Sequence, residues 1–198
     1  MKIIGISQRV DVITEYSERR DAIDQKWLQL CHETGFIPLI IPNHSQTVLA
    51  LLEQIKFEGF ILTGGNNLQA YEGDALERDE VELILLNFAI QNQLPLLGVC
   101  RGMQLVQSFF GIPLFKTAGH VNTEHPVFGR NQKWKVNSFH NYGTTKTSSE
   151  LDVVARAEDG IIESIKHKKY PIHGIMWHPE RYSPFKLRDI NFVKQIFG

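Results

Sequence analysis

The sequence predicts an α/β fold: an open, doubly wound, mostly parallel sheet flanked by helices, carrying a small antiparallel extension. Three observations lead there. Short apolar runs alternate with helix-spaced segments up to Gly111. The run "LPLLGV" (94–99) is almost continuously apolar, as befits a strand covered on both faces. Beyond Gly111 the pattern changes to short strand candidates separated by turns. Parallel units followed by a strand-rich half make a doubly wound sheet extended by antiparallel strands.

Each element has its own signal. "KIIGIS" (2–7) reads as the first strand. A helix is expected from about 18 to 34, with Ile23, Trp27, Leu30 and Cys31 at helical spacing and Gly35 as its stop. "FIPLIIP" (36–42) is a strand, "TVLALLEQI" (47–55) a helix, and "GFILTGG" (59–65) a strand entering a glycine turn. "DEVELILLNFAIQNQ" (79–93) is helical, with Val81, Ile84, Leu85 and Ala89 along one side. "LPLLGV" then leads through Cys100 into a helix, "GMQLVQSFFG" (102–111). "PVFG", "KWKVNSFH", "LDVVARAEDG", "IIESIKH" and "YPIHGIMWH" are strand candidates, "KHKKY" (166–170) a charged hairpin turn, and 186–197 a last helix.

Composition narrows the class. The 198 residues fit one domain spanning 1–198. Twenty-one basic against 22 acidic residues give a net charge of -1, so no general nucleic-acid surface is expected. No apolar run approaches a membrane span. The two cysteines, Cys31 and Cys100, make no disulfide framework, and with no signal peptide at "MKIIGISQRVDV" a cytoplasmic setting is expected.

The chemistry gathers at "LLGVCRGMQL" (96–105). Cys100 ends a strand and precedes a helix, with Gly98 and Gly102 two residues to either side. A residue at such a corner is held out at the ligand-binding edge of the sheet, and the positive end of the helix favours a thiolate. Taken alone, the corner leaves two readings open, nucleophile or small buried hydrophobe. Cys31, on an apolar helix face, takes the second. "GIMWHPERY" (174–182) offers a base: His178 closes a strand, and Glu180 stands where a carboxylate can orient one ring nitrogen. The histidines contain no helical H-x-x-x-H pair and the cysteines lack ligand spacing, so no metal or organic cofactor is expected.

Together, "GVCRGMQL" and "GIMWHPE" resemble the class I glutamine amidotransferase-like family, most nearly its free-standing γ-glutamyl hydrolase branch. "AIDQKWLQLCHETGFIPLIIP", "ILTGGNN", "ERDEVELILLNFAIQNQLPLLGVCRGMQLVQSFFGIPLF", "VNSFH" and "ARAEDGIIESI" extend the likeness over nearly the whole chain. The resemblance implies a flavodoxin-like fold and a triad of nucleophile Cys100, acid–base His178 and orienting Glu180. It implies an oxyanion hole from the N–H groups of Gly65 and Arg101. Gly64, Gln104, Ser138, Phe139 and His140 would bind the glutamyl group. The implied substrate is a small γ-glutamyl amide. In the members most like this chain it is nucleotide-linked, a γ-glutamyl cytidine diphosphoramidate of capsular polysaccharide decoration. No obligate protein partner is expected.

Two departures bear on the pocket. The branch often reads His-His-Gln where this chain has His140-Asn141-Tyr142, and Gln where it has Met176. The leaving group therefore stays open between a nucleotide-linked amide, another γ-glutamyl amine, and glutamine cleaved for a synthetase partner. Arg9, Tyr71, Glu72, His120, His125 and Arg130 are the candidate contacts to it, each also readable as a solvated loop residue.

Overall fold

The computed structural model describes residues 1–198. In chain order the strands and helices are β1 (Ile3–Ile6), β2 (Arg9–Ile13), β3 (Glu18–Ala22), α1 (Lys26–Thr34), β4 (Ile37–Ile40), α2 (Ser45–Gln54) and β5 (Gly59–Leu62). Then come α3 (Leu76–Asn92), β6 (Leu96–Val99), α4 (Arg101–Phe109), β7 (Phe115–Lys116), β8 (Val121–Gly129) and β9 (Lys133–Phe139). β10 (Tyr142–Gly143), β11 (Leu151–Ala157), β12 (Ile162–His167), β13 (Ile172–Ile175) and α5 (Leu187–Phe197) complete the chain.

One nine-stranded sheet runs β4-β1-β5-β6-β13-β12-β11-β8-β9. The first five strands are mutually parallel. From β13 outward every pairing is antiparallel. All four residues of β5 and of β6 are buried, which is why both read as unbroken apolar runs. One core lies between the sheet and α2, α3 and α4, with Val48, Val81, Leu85, Met103 and Val106 at its centre. The second core, on the other face, holds Trp27, Leu30 and Cys31 of α1 with Val193 and Phe197 of α5. Helices on both faces make the fold doubly wound, as expected. No helix is long and apolar enough to cross a membrane.

The largest correction concerns residues 18–34. The helix begins only at Lys26, and β3 pairs with β2 as a separate two-stranded ribbon. Four of the five residues of β3 are exposed. A ribbon standing outside the core carries no apolar period, so its charges read as the polar face of a helix. Of "KHKKY", Lys168, Lys169 and Tyr170 lie in the turn between antiparallel β12 and β13, while Lys166 and His167 end β12.

The first strand, β1, lies between β4 and β5, so the chain moves to opposite sides of it, and a crevice opens at the carboxyl ends there. The turns after β5, β6 and β13, adjacent in the sheet, all leave at that edge. At the middle turn, glycine is required twice. A Cβ on Gly98 would lie 2.6 Å from the backbone of Gly102, and one on Gly102 only 2.2 Å from the carbonyl oxygen of Leu62. Backbone meets backbone there, so no rotamer change relieves the clash. Gly102→Ala is expected to lower stability by about 3 kcal/mol or more. The denaturant midpoint measures this, and an unchanged midpoint would contradict the close packing of α4 on β5.

Candidate active site

Cys100 adopts φ 53° and ψ −105°, a conformation that non-glycine residues rarely hold. Its N–H donates to the Ile175 carbonyl of β13 at 2.7 Å, and its carbonyl accepts from Gln104 N–H at 3.0 Å. The residue is thus pinned between two strands and a helix. It is 6% exposed and lines a cavity of about 290 Å³ with Gly65, Arg101, Gln104, Phe139, His140 and His178. Cys31 makes the contrast: burial pushes its thiol up to about 12, the state of an inert packing residue.

His178 follows the strand paired with the cysteine's own, which brings two distant segments side by side. Its Nδ1 lies 2.7 Å from Glu180 Oε1, and both side chains are buried. Nε2 makes no hydrogen bond and is the edge left to face Cys100. Burial disfavours the charged ring, but the Glu180 carboxylate and the neighbouring Cys100 sulfur outweigh it and raise His178 to about 9. Asn137 on β9 clamps the backbone: its Nδ2 donates to His178 O at 2.9 Å and its Oδ1 accepts from His178 N–H at 2.8 Å. Phe139 packs edge-on against the ring, 5.6 Å between centroids.

The turn after β5 is held from beneath by a buried guanidinium. Arg78 of α3 donates to the carbonyls of Thr63 at 2.7 Å, Gly64 at 3.0 Å and Gly65 at 2.6 Å. A trans peptide sets its N–H opposite its C=O. With the Gly64 carbonyl drawn to Arg78, the Gly65 N–H points the other way, and Gly65 lines the cavity. Arg101 heads α4, where N–H groups have no intrahelical partner. Its side chain turns inward to pair with Glu82 and Asp79. Glu82 also accepts from Arg78 Nε at 2.9 Å and from Ser7 Oγ at 2.7 Å. Burial raises the Glu82 carboxyl, but Arg101 and Arg78 overcome that and hold it below its usual range. Burial lowers Arg78 to about 10.

The other expected residues fall into place unevenly. Gly64 makes room for the His178 ring, since a Cβ there would lie 2.5 Å from His178 Cε1. Gln104 lines the cavity and donates to Tyr142 O at 2.9 Å. Phe139 and His140 line it too, but the Ser138 hydroxyl is buried and donates to His120 O at 2.7 Å. Of the leaving-group candidates, Arg9 borders an adjoining cleft with Gly64, Gly65, His178, Glu180 and Arg181. Glu72 pairs with Lys116 on the surface, and the Tyr71 hydroxyl accepts from Leu114 N–H. Arg130 lies in a separate depression beside Gly129. His120 and His125 gather with His140 around Glu163.

Ser7, Arg78, Glu82, Asn137 and Arg181 were not singled out from the sequence. The spacing of Arg78 and Glu82, four apart and in phase with the apolar positions Val81, Leu85 and Ala89, is the one available signal.

Comparison with known proteins identifies the family. The family described as glutamine amidotransferase class-I matches residues 19–192. The chain is 33% identical to the γ-glutamyl-CDP-amidate hydrolase of Campylobacter jejuni, over 98% of this chain and 97% of that protein. It is 27% identical to a γ-glutamyl-γ-aminobutyrate hydrolase of Escherichia coli O157:H7, over 80% and 78%. A glutamine amidotransferase from Thermotoga maritima has a similar fold, with TM-score 0.67 and 15% identity over 98% of this chain and 83% of that one. With its family match and its full-length likeness to one member, this chain belongs to the class I glutamine amidotransferase family.

Proposed function

We propose that this chain hydrolyses a γ-glutamyl amide through a Cys100–His178–Glu180 triad, with γ-glutamyl-CDP-amidate as substrate. Glutamate and cytidine diphosphoramidate are the products, the latter for capsular polysaccharide modification. The observation that carries the reading is His178, held 2.7 Å from Glu180 and lining the same cavity as Cys100.

The Cys100 thiolate attacks the γ-carbonyl carbon, and the carbonyl oxygen becomes an oxyanion met by the N–H groups of Gly65 and Arg101. Fixed donors of this kind act only as charge develops; losing one typically costs about a hundredfold or more. The imidazolium of His178 gives its proton to the leaving nitrogen, the C–N bond breaks and a glutamyl thioester remains. Neutral His178 then takes a proton from water as its oxygen attacks the thioester. The C–S bond breaks, glutamate leaves and the thiolate–imidazolium pair is restored. Gln104 and the segment around Phe139 and His140 hold the amino-acid end. The nucleotide reading is supported by two guanidinium groups, Arg9 and Arg181, on the cleft adjoining the triad. Arg181 is fixed there by stacking on Phe139, with Cζ 4.1 Å from the ring centroid.

Cys100→Ala is expected to fold normally and to lose turnover of every γ-glutamyl amide, as followed by glutamate release; near-full hydrolysis would overturn the thioester route. The leaving group is tested by comparing kcat/KM for γ-glutamyl-CDP-amidate, γ-glutamyl-γ-aminobutyrate and glutamine. The nucleotide conjugate should lead, and Arg181→Ala should lower its kcat/KM by about tenfold or more beyond any loss on glutamine, the size of one charge-assisted contact. Equal efficiency on all three would defeat the nucleotide assignment.

The raised imidazole sets the alkaline limit. Activity should fall as pH rises through about 9, where His178 loses the proton it gives to the leaving nitrogen. In Glu180→Gln the carboxylate's contribution is gone, and the limb should move down by about a pH unit or more. The folded state also holds this proton more tightly than the unfolded chain. That adds stability below about pH 6.5, and the gain is lost as pH rises through about 9. Rate profiles of the two proteins check the shift, and coincident alkaline limbs would contradict the role given to Glu180.

A further inference from the structure

Behind the cavity wall, three histidines from three places in the chain meet one buried carboxylate. His120 precedes β8, His125 lies within it, His140 follows β9, and Glu163 stands on β12. Glu163 Oε1 lies 3.3 Å from His120 Nδ1, 3.2 Å from His140 Nε2 and 3.7 Å from His125 Nε2. A tetrahedron with metal–ligand bonds of the zinc type has edges of about 3.3–3.5 Å. The four donor atoms all lie within 4.8 Å of one another.

The far nitrogen of each ring fixes its tautomer. His120 Nε2 is 2.8 Å from Asp159 Oδ2, His140 Nδ1 is 3.0 Å from Tyr142 O, and His125 Nδ1 is 3.3 Å from Pro126 O. Each acceptor has only lone pairs to offer, so each of these nitrogens carries a hydrogen. The near nitrogens of neutral rings then turn three lone pairs toward an anionic oxygen. That is repulsive unless positive charge lies between them. A single proton serves one ring only. Charging all three would crowd imidazolium rings whose centroids are 4.6 Å (His120–His140) and 4.8 Å (His120–His125) apart. His120 Nδ1, His125 Nε2 and Glu163 Oε2 are buried without a hydrogen-bond partner. One divalent cation with three neutral imidazoles would balance the charges of Glu163 and Asp159. A carbonyl or carboxylate on the outer nitrogen of each ring is the usual support of histidine metal ligands.

We propose that His120, His125, His140 and Glu163 form a divalent transition-metal site, zinc being the best fit to three imidazoles and a carboxylate. With four protein ligands it is a closed, structural site. It staples β8, β9 and β12 together and fixes His140, which lines the cavity holding Cys100. The sequence spacing had excluded metal because it looked for ligands on one helix, whereas these converge across strands.

The test uses the full chain, stripped with chelator and titrated with Zn²⁺ alone, in wild type and in a Cys100→Ala background that removes the thiol lining the cavity. One Zn²⁺ per chain is expected in both, with a rise in melting temperature. Co²⁺ should give the intense visible absorption of tetrahedral nitrogen and oxygen coordination. His125→Ala should abolish saturable binding. Asp159→Asn, which alters only a half-exposed support of His120, should weaken binding by about 10- to 100-fold. Failure to bind one equivalent, or binding lost with Cys100 but kept in His125→Ala, would overturn the site. Neither outcome bears on hydrolysis by the triad.

Discussion

The Glu82 carboxylate is the point on which the cavity-bearing edge of the sheet depends. It is fully buried, and it accepts from Ser7 at the end of β1, from Arg78 on its own helix and from Arg101 at the head of α4. Ion pairs taken this far from water gain little net stability, because desolvation offsets their attraction. Their value lies in what happens when one member is missing: an uncompensated buried charge costs about 3–5 kcal/mol. The arrangement is therefore all or nothing. Arg78 reaches three successive carbonyls of the glycine turn only while Glu82 neutralises it. The same carboxylate draws in the side chain of Arg101, which lines the cavity. The two turns that carry Gly65 and Arg101 are thus tied to one charge.

A second constraint acts on Cys100. The positive φ of Cys100 is unfavourable for a residue with a Cβ, on the order of 1–3 kcal/mol. The surroundings must over-determine it. The bond from Cys100 N–H to Ile175 O, the start of α4 one residue later, and the glycine pair that lets α4 press onto β5 together leave the chain no relaxed alternative. Strain and close packing here are one feature. The helix must approach closely for its first N–H groups to reach the cavity, and only glycine at 98 and 102 permits that approach.

What could be read from the sequence follows from this division. Cys100, His178 and Glu180 sit in short local patterns whose meaning needs only strand, turn and helix, and those were legible. So were the strands covered on both faces, because burial leaves an unbroken apolar run. The support was not. Arg78 and Glu82 belong to a charged stretch, "ERDEVE", which looks like the solvated start of a helix; only the tertiary fold buries it. Asn137 was hidden for a related reason, since its partner lies 41 positions away. The histidine cluster needs β8, β9 and β12 brought together before its parts mean anything. The ribbon of β2 and β3 escaped because it buries almost nothing, and pattern reading works only through burial.

The position of β13 explains why both halves of the chain are needed. It is the last strand in sequence, yet it lies at the seam, parallel to β6 on one side and antiparallel to β12 on the other. On the β6 side it supplies the carbonyl that holds Cys100. Beyond its end, His178 is gripped by Asn137 from the antiparallel half. The backbone of Met176, leading to that histidine, donates to the carbonyl of Glu163 at 2.9 Å. The antiparallel strands are therefore more than an appendage to the parallel sheet. They cover the open edge of β13 and set the height of His178 above Cys100. Because β6 and β13 pair across more than seventy intervening residues, neither half can set His178 beside Cys100 alone. The two residues meet only when the last strand is inserted between the two halves.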